Sequence, residues 1–395
     1  MAERFNAAVL KTVVGSYPPG VRIPLSPPPQ QASEAATVGM HASYSGSCCF
    51  RRDEGASWRL KTTAATQQIA GRSCLPSRAL NLSQWNPMPK PISLIGLPTD
   101  IGAGHRGASM GPEALRVAGL ESALRARGRV VNDIGNLIGP LNPWLPPVNG
   151  YRHLEQVVAW NRLAYASVIA ELRAQRLPIM LGGDHCLAIG SIGAVARFCK
   201  EENKKLRVIW LDAHADFNTS GITPSGNVHG MPVACLCGYG PQPLTDLDGF
   251  GQMLLPGQIK QVGIRSVDEG ERALVHDVGI DIFDMRFIDE HGMRRTMEYA
   301  LADLDSDTHL HVSFDVDFLD PSIAPGVGTT VPGGPNYREA QLCMEMIADT
   351  GLLASLDVVE LNPAFDEHNR TAALAVDLIE SLFGKSTLMR VGSVR

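Results

Sequence analysis

The sequence predicts an α/β protein: a single three-layer α/β/α domain on a mostly parallel central sheet, preceded by an N-terminal extension expected to be disordered. Two observations carry this. Past residue 90, short β-branched or apolar runs ending in Gly, Asp or Pro alternate with helical patterns. Such strand–helix–strand repetition places helices on both faces of a parallel sheet. Finally, the concentrated acidic and histidine motifs fall where strand-like runs stop, which is where open parallel sheets bind ligands.

Taken in chain order, residues 1–90 hold "YPPGVRIPLSPPPQQASEAA", many Ser, Ala and Arg, only four acidic residues and no sustained apolar periodicity. A segment of this kind buries too little surface to offset its ordering entropy. Lys11 and Pro18–Pro19 interrupt its apolar run, so it lacks a secretory core. An acid-poor, Arg- and Ser-bearing N-terminus also fits an organelle transit peptide; the alternatives are a cytoplasmic protein with an idle extension and a targeted one. Strands are then expected in "PISLIGLPTD", "LPIMLGGDH", "LRVIWLDAHAD", "QIKQVGIRSVD", "THLHVSFDVDF" and "GLLASLDVVELNP". Helices are expected in "GPEALRVAGLESALRARG" and "EQVVAWNRLAYASVIAELRAQ", and "KEENKK" reads as a solvated helix end.

The formal net charge of −6 and pI near 6.0 leave no electrostatic footprint for nucleic acid or anionic membrane. No apolar stretch approaches the roughly 18 residues that span a bilayer. The eight cysteines are scattered, without C-x-x-C spacing, and read as buried or free thiols of a reducing compartment.

The chemistry concentrates in three motifs. "LGGDHCLAIG" places His185 after a Gly-Gly turn at a helix start, and "LDAHAD" puts Asp212, His214 and Asp216 on alternate positions after an apolar strand. "SFDVDFLDP" sets Asp315 and Asp317 two apart, expected on one face of an extended strand. Two imidazoles and four carboxylates suit a pair of divalent cations with mixed O/N ligation, such as Mn²⁺, and are too acidic for a structural zinc. Close carboxylates repel, and a shared cation removes that cost.

Together with "GNVHG" and "VVELNP", these motifs resemble the ureohydrolase family, and within it the arginases, over residues 91–395. The resemblance implies hydrolysis of the L-arginine guanidinium to L-ornithine and urea by a hydroxide bridging two Mn²⁺ ions. One ion would be held by His185, Asp212, Asp216 and Asp315, the other by His214, Asp212, Asp315 and Asp317. Glu360 corresponds to the carboxylate that pairs with the guanidinium, and Thr329 to the Gly-rich loop lining the site. His229 corresponds to the proton shuttle, with Asp317 relaying the proton. Asn218, Thr223, Ser225 and Asn227 correspond to the clamp on the substrate α-carboxylate, Asp268 and Glu271 to the acids facing its α-ammonium. A homo-oligomer, trimer or hexamer, is implied as well. Phe318 stands where some members carry Gly, and is expected to reshape the site wall. His105 is expected on the rim, His311 in the core.

Agmatine or another guanidino acid is the alternative substrate. More distant readings are a metal-dependent deacetylase, which leaves Glu360 unexplained, and a non-catalytic relative, in which the ligands or His229 would be eroded.

Overall fold

Eight strands form one sheet in the computed structural model, which describes residues 89–249 and 251–386. They are β1 (Ile92–Leu97), β2 (Val131–Asn136), β3 (Leu177–Gly182), β4 (Lys205–Leu211), β5 (Ile259–Ile264), β6 (Asp281–Asp284), β7 (Thr308–Asp315) and β8 (Leu353–Val359). Their order is β2-β1-β3-β8-β7-β4-β5-β6, and every neighbouring pair is parallel. The expectation of disorder before residue 90 falls almost wholly outside the described residues, as do Cys48, Cys49 and Cys74.

Six strands coincide with the runs expected from sequence. The two unforeseen ones, β2 and β6, are the sheet's edges. In β2, "VNDIGN", only Val131 is buried, and no residue of β6 is. A short, exposed edge strand needs no apolar face and leaves no periodic signature.

Alternation along the strands divides the core in two. Ile92 and Leu94 of β1, Ile179 and Leu181 of β3, and Val312 and Phe314 of β7 face one layer. That layer consists of the helices Gly111–Val117, Leu120–Ala126, Met285–Ala300, Tyr337–Asp349 and Arg370–Leu382. Ile95, Met180, Val208 and Trp210 face the other, formed by Leu154–Arg173, Ala188–Glu201, Pro232–Leu236 and Glu269–Val278. The stretch read as one helix over residues 111–128 is two, broken at Gly119, whose φ of 89° a helix interior does not accept. Cys186, Cys199, Cys235, Cys237 and Cys343 are buried free thiols. Among the described residues no helix is long and apolar enough to cross a membrane.

This strand order matters for the site. The chain runs from β3 out to β4, β5 and β6, then returns with β7 and β8 to fill the gap between β3 and β4. Five consecutive strands, β3-β8-β7-β4-β5, thereby direct their carboxyl ends at one crevice.

Candidate active site

His185 opens the 3₁₀ turn His185–Leu187 just past β3. The turn before it is compressed: a Cβ on Gly183 would stand 1.6 Å from the Thr99 carbonyl oxygen, so only glycine fits. Asp184 caps the turn, accepting from Cys186 N, and its other oxygen accepts from Gly102 N at 2.8 Å. The His185 Nδ1 then faces three carboxylates: Asp315 at 3.0 Å, Asp212 at 3.1 Å and Asp216 at 3.3 Å. Its Nε2 contacts Ser313 Oγ at 2.9 Å, and the Trp210 ring stacks on it at 4.0 Å. The Trp210 Nε1–H donates to Asp212 Oδ2. One nitrogen is thus anchored and the other aimed, as in a metal-ligating histidine.

Asp212, His214 and Asp216 follow β4. The Asp212 Oδ1 accepts from His214 N at 2.7 Å, and the His214 Nδ1 lies 3.1 Å from Asp317 Oδ2. Two groups therefore have ligand atoms close enough to hold a cation: His185, Asp212 and Asp216, and Asp212, His214 and Asp317, with Asp212 in common. Asp216 adopts a left-handed backbone (φ 51°), which turns its carbonyl to accept from Val233 N at the start of the next helix.

Electrostatics separate these acids. Burial, then the neighbouring Asp212, pushes the Asp216 carboxyl well above the usual carboxylate range; burial, then Asp317, does the same to Asp315. For Asp212 burial works the same way, but hydrogen bonds from His185 and His214 outweigh it and its pKa falls. Buried acids held this close, with oxygen and imidazole donors converging, fit divalent cations of mixed O/N preference.

Above them sits a second pair. Glu360, immediately past β8, is buried with φ 62°, its N–H donating to Gly183 O. Its Oε1 accepts from His185 N at 2.8 Å and lies 3.0 Å from His229 Nδ1. Burial opposes the charged form of each, yet the pairing prevails: the His229 pKa is raised and that of Glu360 lowered. Thr329 Oγ1 donates to Asp317 Oδ2 at 3.0 Å, joining the Gly-rich loop to the acid cluster.

Asn218, Thr223, Ser225, Asn227, Asp268 and Glu271 line the mouth of the same cavity, of about 180 Å³. The Thr223 and Ser225 hydroxyls accept main-chain N–H bonds within their own loop, leaving their O–H free to donate. Asn218 Nδ2 donates to Asp268 Oδ2 at 3.0 Å, while the Asn218 and Asn227 Oδ1 atoms are buried without a hydrogen-bond partner. Glu271 is bound more tightly than its expected role suggests: both oxygens accept main-chain N–H bonds, from Phe217 and Asp268.

Two expectations need correction. Asp317 does not share an extended strand with Asp315: β7 ends at Asp315, whose Oδ1 accepts from Asp317 N and caps a 3₁₀ turn, Val316–Phe318. Asp317 still reaches the crevice because the turn folds back over the strand end. Nor does Phe318 shape the site wall. Its ring is fully buried beside Phe314, clear of the cavity, in the space left by Gly263. His105 is exposed, edge-on to Phe365, and outside the cavity. His311 is core, contacting Ser355 Oγ at 2.8 Å.

Sequence reasoning overlooked Trp210 and Ser313, which read as ordinary strand residues, and Ser266, which lines the cavity beside Asp268. Parity along β7 places Ser313 on the face of Asp315; for Ser266 no local signal exists, since a bridge between His214 and Ser266 brings it there.

A parallel α/β/α sheet with this acid and imidazole cluster at its carboxyl edge is the architecture of a metal-dependent hydrolase. Residues 90–384 match the Arginase family. An arginase from Brucella melitensis is 46% identical over 308 residues, covering 75% of this chain and 97% of the relative. The crystal structure of the Bacillus caldovelox arginase superposes with a TM-score of 0.72 at 42% identity, over 76% of this chain and all of the other. The Entamoeba histolytica arginase, solved in complex with L-ornithine, gives 0.68 at 33% identity, over 75% of this chain and 99% of its own. The chain belongs to the arginase family.

Proposed function

We propose that this chain hydrolyses L-arginine to L-ornithine and urea with two Mn²⁺ ions, one held by His185, Asp212, Asp216 and Asp315 and the other by His214, Asp212, Asp315 and Asp317. The observation that carries this reading is the pair of acid–imidazole groups sharing Asp212, directly beneath the Glu360–His229 pair. Bound there, such ions would supply the acidity that makes hydroxide available from water near neutral pH.

The protein's own residues do the rest. Glu360 is buried, ionised and already oriented, so it holds the guanidinium in line while the low dielectric strengthens the pair. His229 stays protonated to higher pH because Glu360 faces it, which suits it to protonate the leaving amine, since an amide anion cannot depart. Asp317, steadied by Thr329, relays the proton. At the mouth, the free O–H groups of Thr223 and Ser225, with the amides of Asn218 and Asn227, receive the α-carboxylate. Asp268 and Glu271 face the α-ammonium, and the unpartnered Asn218 Oδ1 accepts from the same donor. The Entamoeba relative's complex with L-ornithine supports this class of ligand.

A clamp for both halves of an α-amino acid favours arginine over agmatine, which lacks the carboxylate. Urea release from arginine, agmatine, guanidinobutyrate and guanidinopropionate, with and without Mn²⁺, tests the reading. Arginine should win by at least tenfold and require the metal; an equal or better rate with agmatine would overturn the substrate assignment.

The same reading sets the catalytic domain at residues 91–395 and residues 1–90 as an extension. It also implies a homo-oligomer, trimer or hexamer, to be checked by light scattering. The five buried free thiols support a cytoplasmic setting.

A further inference from the structure

Arg265 stands just past β5, behind the acid cluster and outside the cavity. Its Nε donates to the Val331 carbonyl at 3.0 Å. Nη1 donates to Gly263 O and Phe318 O at 3.2 and 3.1 Å, and Nη2 to Asp317 O, Leu319 O and Val331 O at 2.8, 3.2 and 2.8 Å. All of these bonds end on main-chain carbonyls. A guanidinium presents five N–H donors in a rigid fork, which lysine's three cannot reproduce. The surrounding loop is shaped to admit the fork: a Cβ on Gly334 would stand 2.6 Å from Nη2 and 2.8 Å from Phe318 O. Asp320 fastens the same loop independently, accepting from Gly333 N and Gly334 N. Burial disfavours the Arg265 charge, and Asp317, Asp212, Asp320 and Asp315 oppose that cost.

The guanidinium thus joins the end of β5, the turn bearing Asp317 and the loop bearing Thr329. Asp317 is the acid that meets His214, whereas His185 is held by Ser313 and Trp210, outside this arrangement. We propose that Arg265 is a positioning residue that fixes the Asp317 carboxylate against His214, and so sets the cation affinity of the Asp212–His214–Asp317 group but not that of the His185–Asp212–Asp216 group. This rests on the reading that both groups hold cations.

The test is Mn²⁺ titration of the full metal-stripped chain, comparing the parent with Arg265→Met, Arg265→Lys and Gly334→Ala. Asp317→Asn and Asp216→Asn identify the two binding steps. Loss of a group that orients ligands weakens metal binding by about 10–100-fold. Arg265→Met should weaken the Asp317 step by that factor, leave the Asp216 step within about threefold, and regain its rate at saturating Mn²⁺ with KM unchanged. Arg265→Lys and Gly334→Ala should fall between, and they decide the matter if Arg265→Met does not fold. Folded variants in which both steps weaken equally, or neither does, overturn the proposal. Should the parent bind fewer than two Mn²⁺ ions, the two-cation reading fails instead. The tie is then judged by hydrogen exchange, where residues 316–319 and 329–334 must lose protection together in Arg265→Lys; unchanged protection refutes it.

Discussion

Replacing Glu360 by Gln removes one charge from the centre of the site and almost nothing else. The residue is 2% exposed, and its Oε1 accepts from His185 N and pairs with His229. A glutamine carbonyl can still accept the His185 N–H, so the turn that aims His185 survives and metal content should not change. What disappears is the anion that faces His229 and, in the proposed mechanism, the guanidinium. Breaking a buried pair costs about 3–5 kcal/mol, and the retained hydrogen-bond geometry argues for the lower end. At about 1.4 kcal/mol per decade, kcat/KM for arginine should fall by about two orders of magnitude. A second consequence has a definite sign. Glu360 raises the His229 pKa against the effect of burial, so in the variant that pKa drops. If protonated His229 delivers the proton, the alkaline limb of the kcat profile must move to lower pH. The assay is urea release across pH at saturating Mn²⁺, with metal content measured on the same samples. A kcat/KM within threefold of the parent, or an unmoved alkaline limb, would refute the roles given to both residues.

Asp315→Ala should yield protein with clearly fewer than two Mn²⁺ per chain by elemental analysis, because its Oδ2 meets His185 and its Oδ1 caps the Asp317 turn; full occupancy would remove it from the ligand set. Burial and a neighbouring carboxylate raise the pKa values of Asp216 and Asp315 in the metal-free protein, so Mn²⁺ binding should release protons in a pH-stat titration, and more of them as the pH is lowered. No release would contradict the crowding argument. Phe318→Ala should lower unfolding free energy by about 3–5 kcal/mol in denaturant titrations while leaving KM for arginine within threefold; a large KM change would return Phe318 to the site wall. Deleting residues 1–85 should preserve urea production and melting temperature, because the Brucella and Bacillus relatives are matched over 97% and 100% of their lengths by about three quarters of this chain. A large loss in either would tie the extension to the catalytic domain.

How much of this was legible beforehand follows from where each signal resides. Asp212, His214 and Asp216 lie within five residues behind an apolar run, so their clustering and strand-end position are local facts that a pattern can show. The parallel sheet was equally readable, because its buried strands carry long apolar runs that end abruptly at the polar crevice. The edge strands β2 and β6 were invisible for the opposite reason: solvent on their exposed sides relieves them of any apolar pattern. Other features belong to the tertiary structure alone. His185 meets Asp315 across 130 residues because β8 and β7 return between β3 and β4, and no local periodicity encodes that insertion. The left-handed backbones at Asp216 and Glu360 are costly torsions for such residues, held by surrounding contacts and not by their own preferences. Nothing in the sequence marks Arg265; only the folded chain brings the carbonyls of Asp317, Phe318, Leu319 and Val331 to its fork, because a hydrogen-bond partner is chosen by proximity in space and not by spacing along the chain.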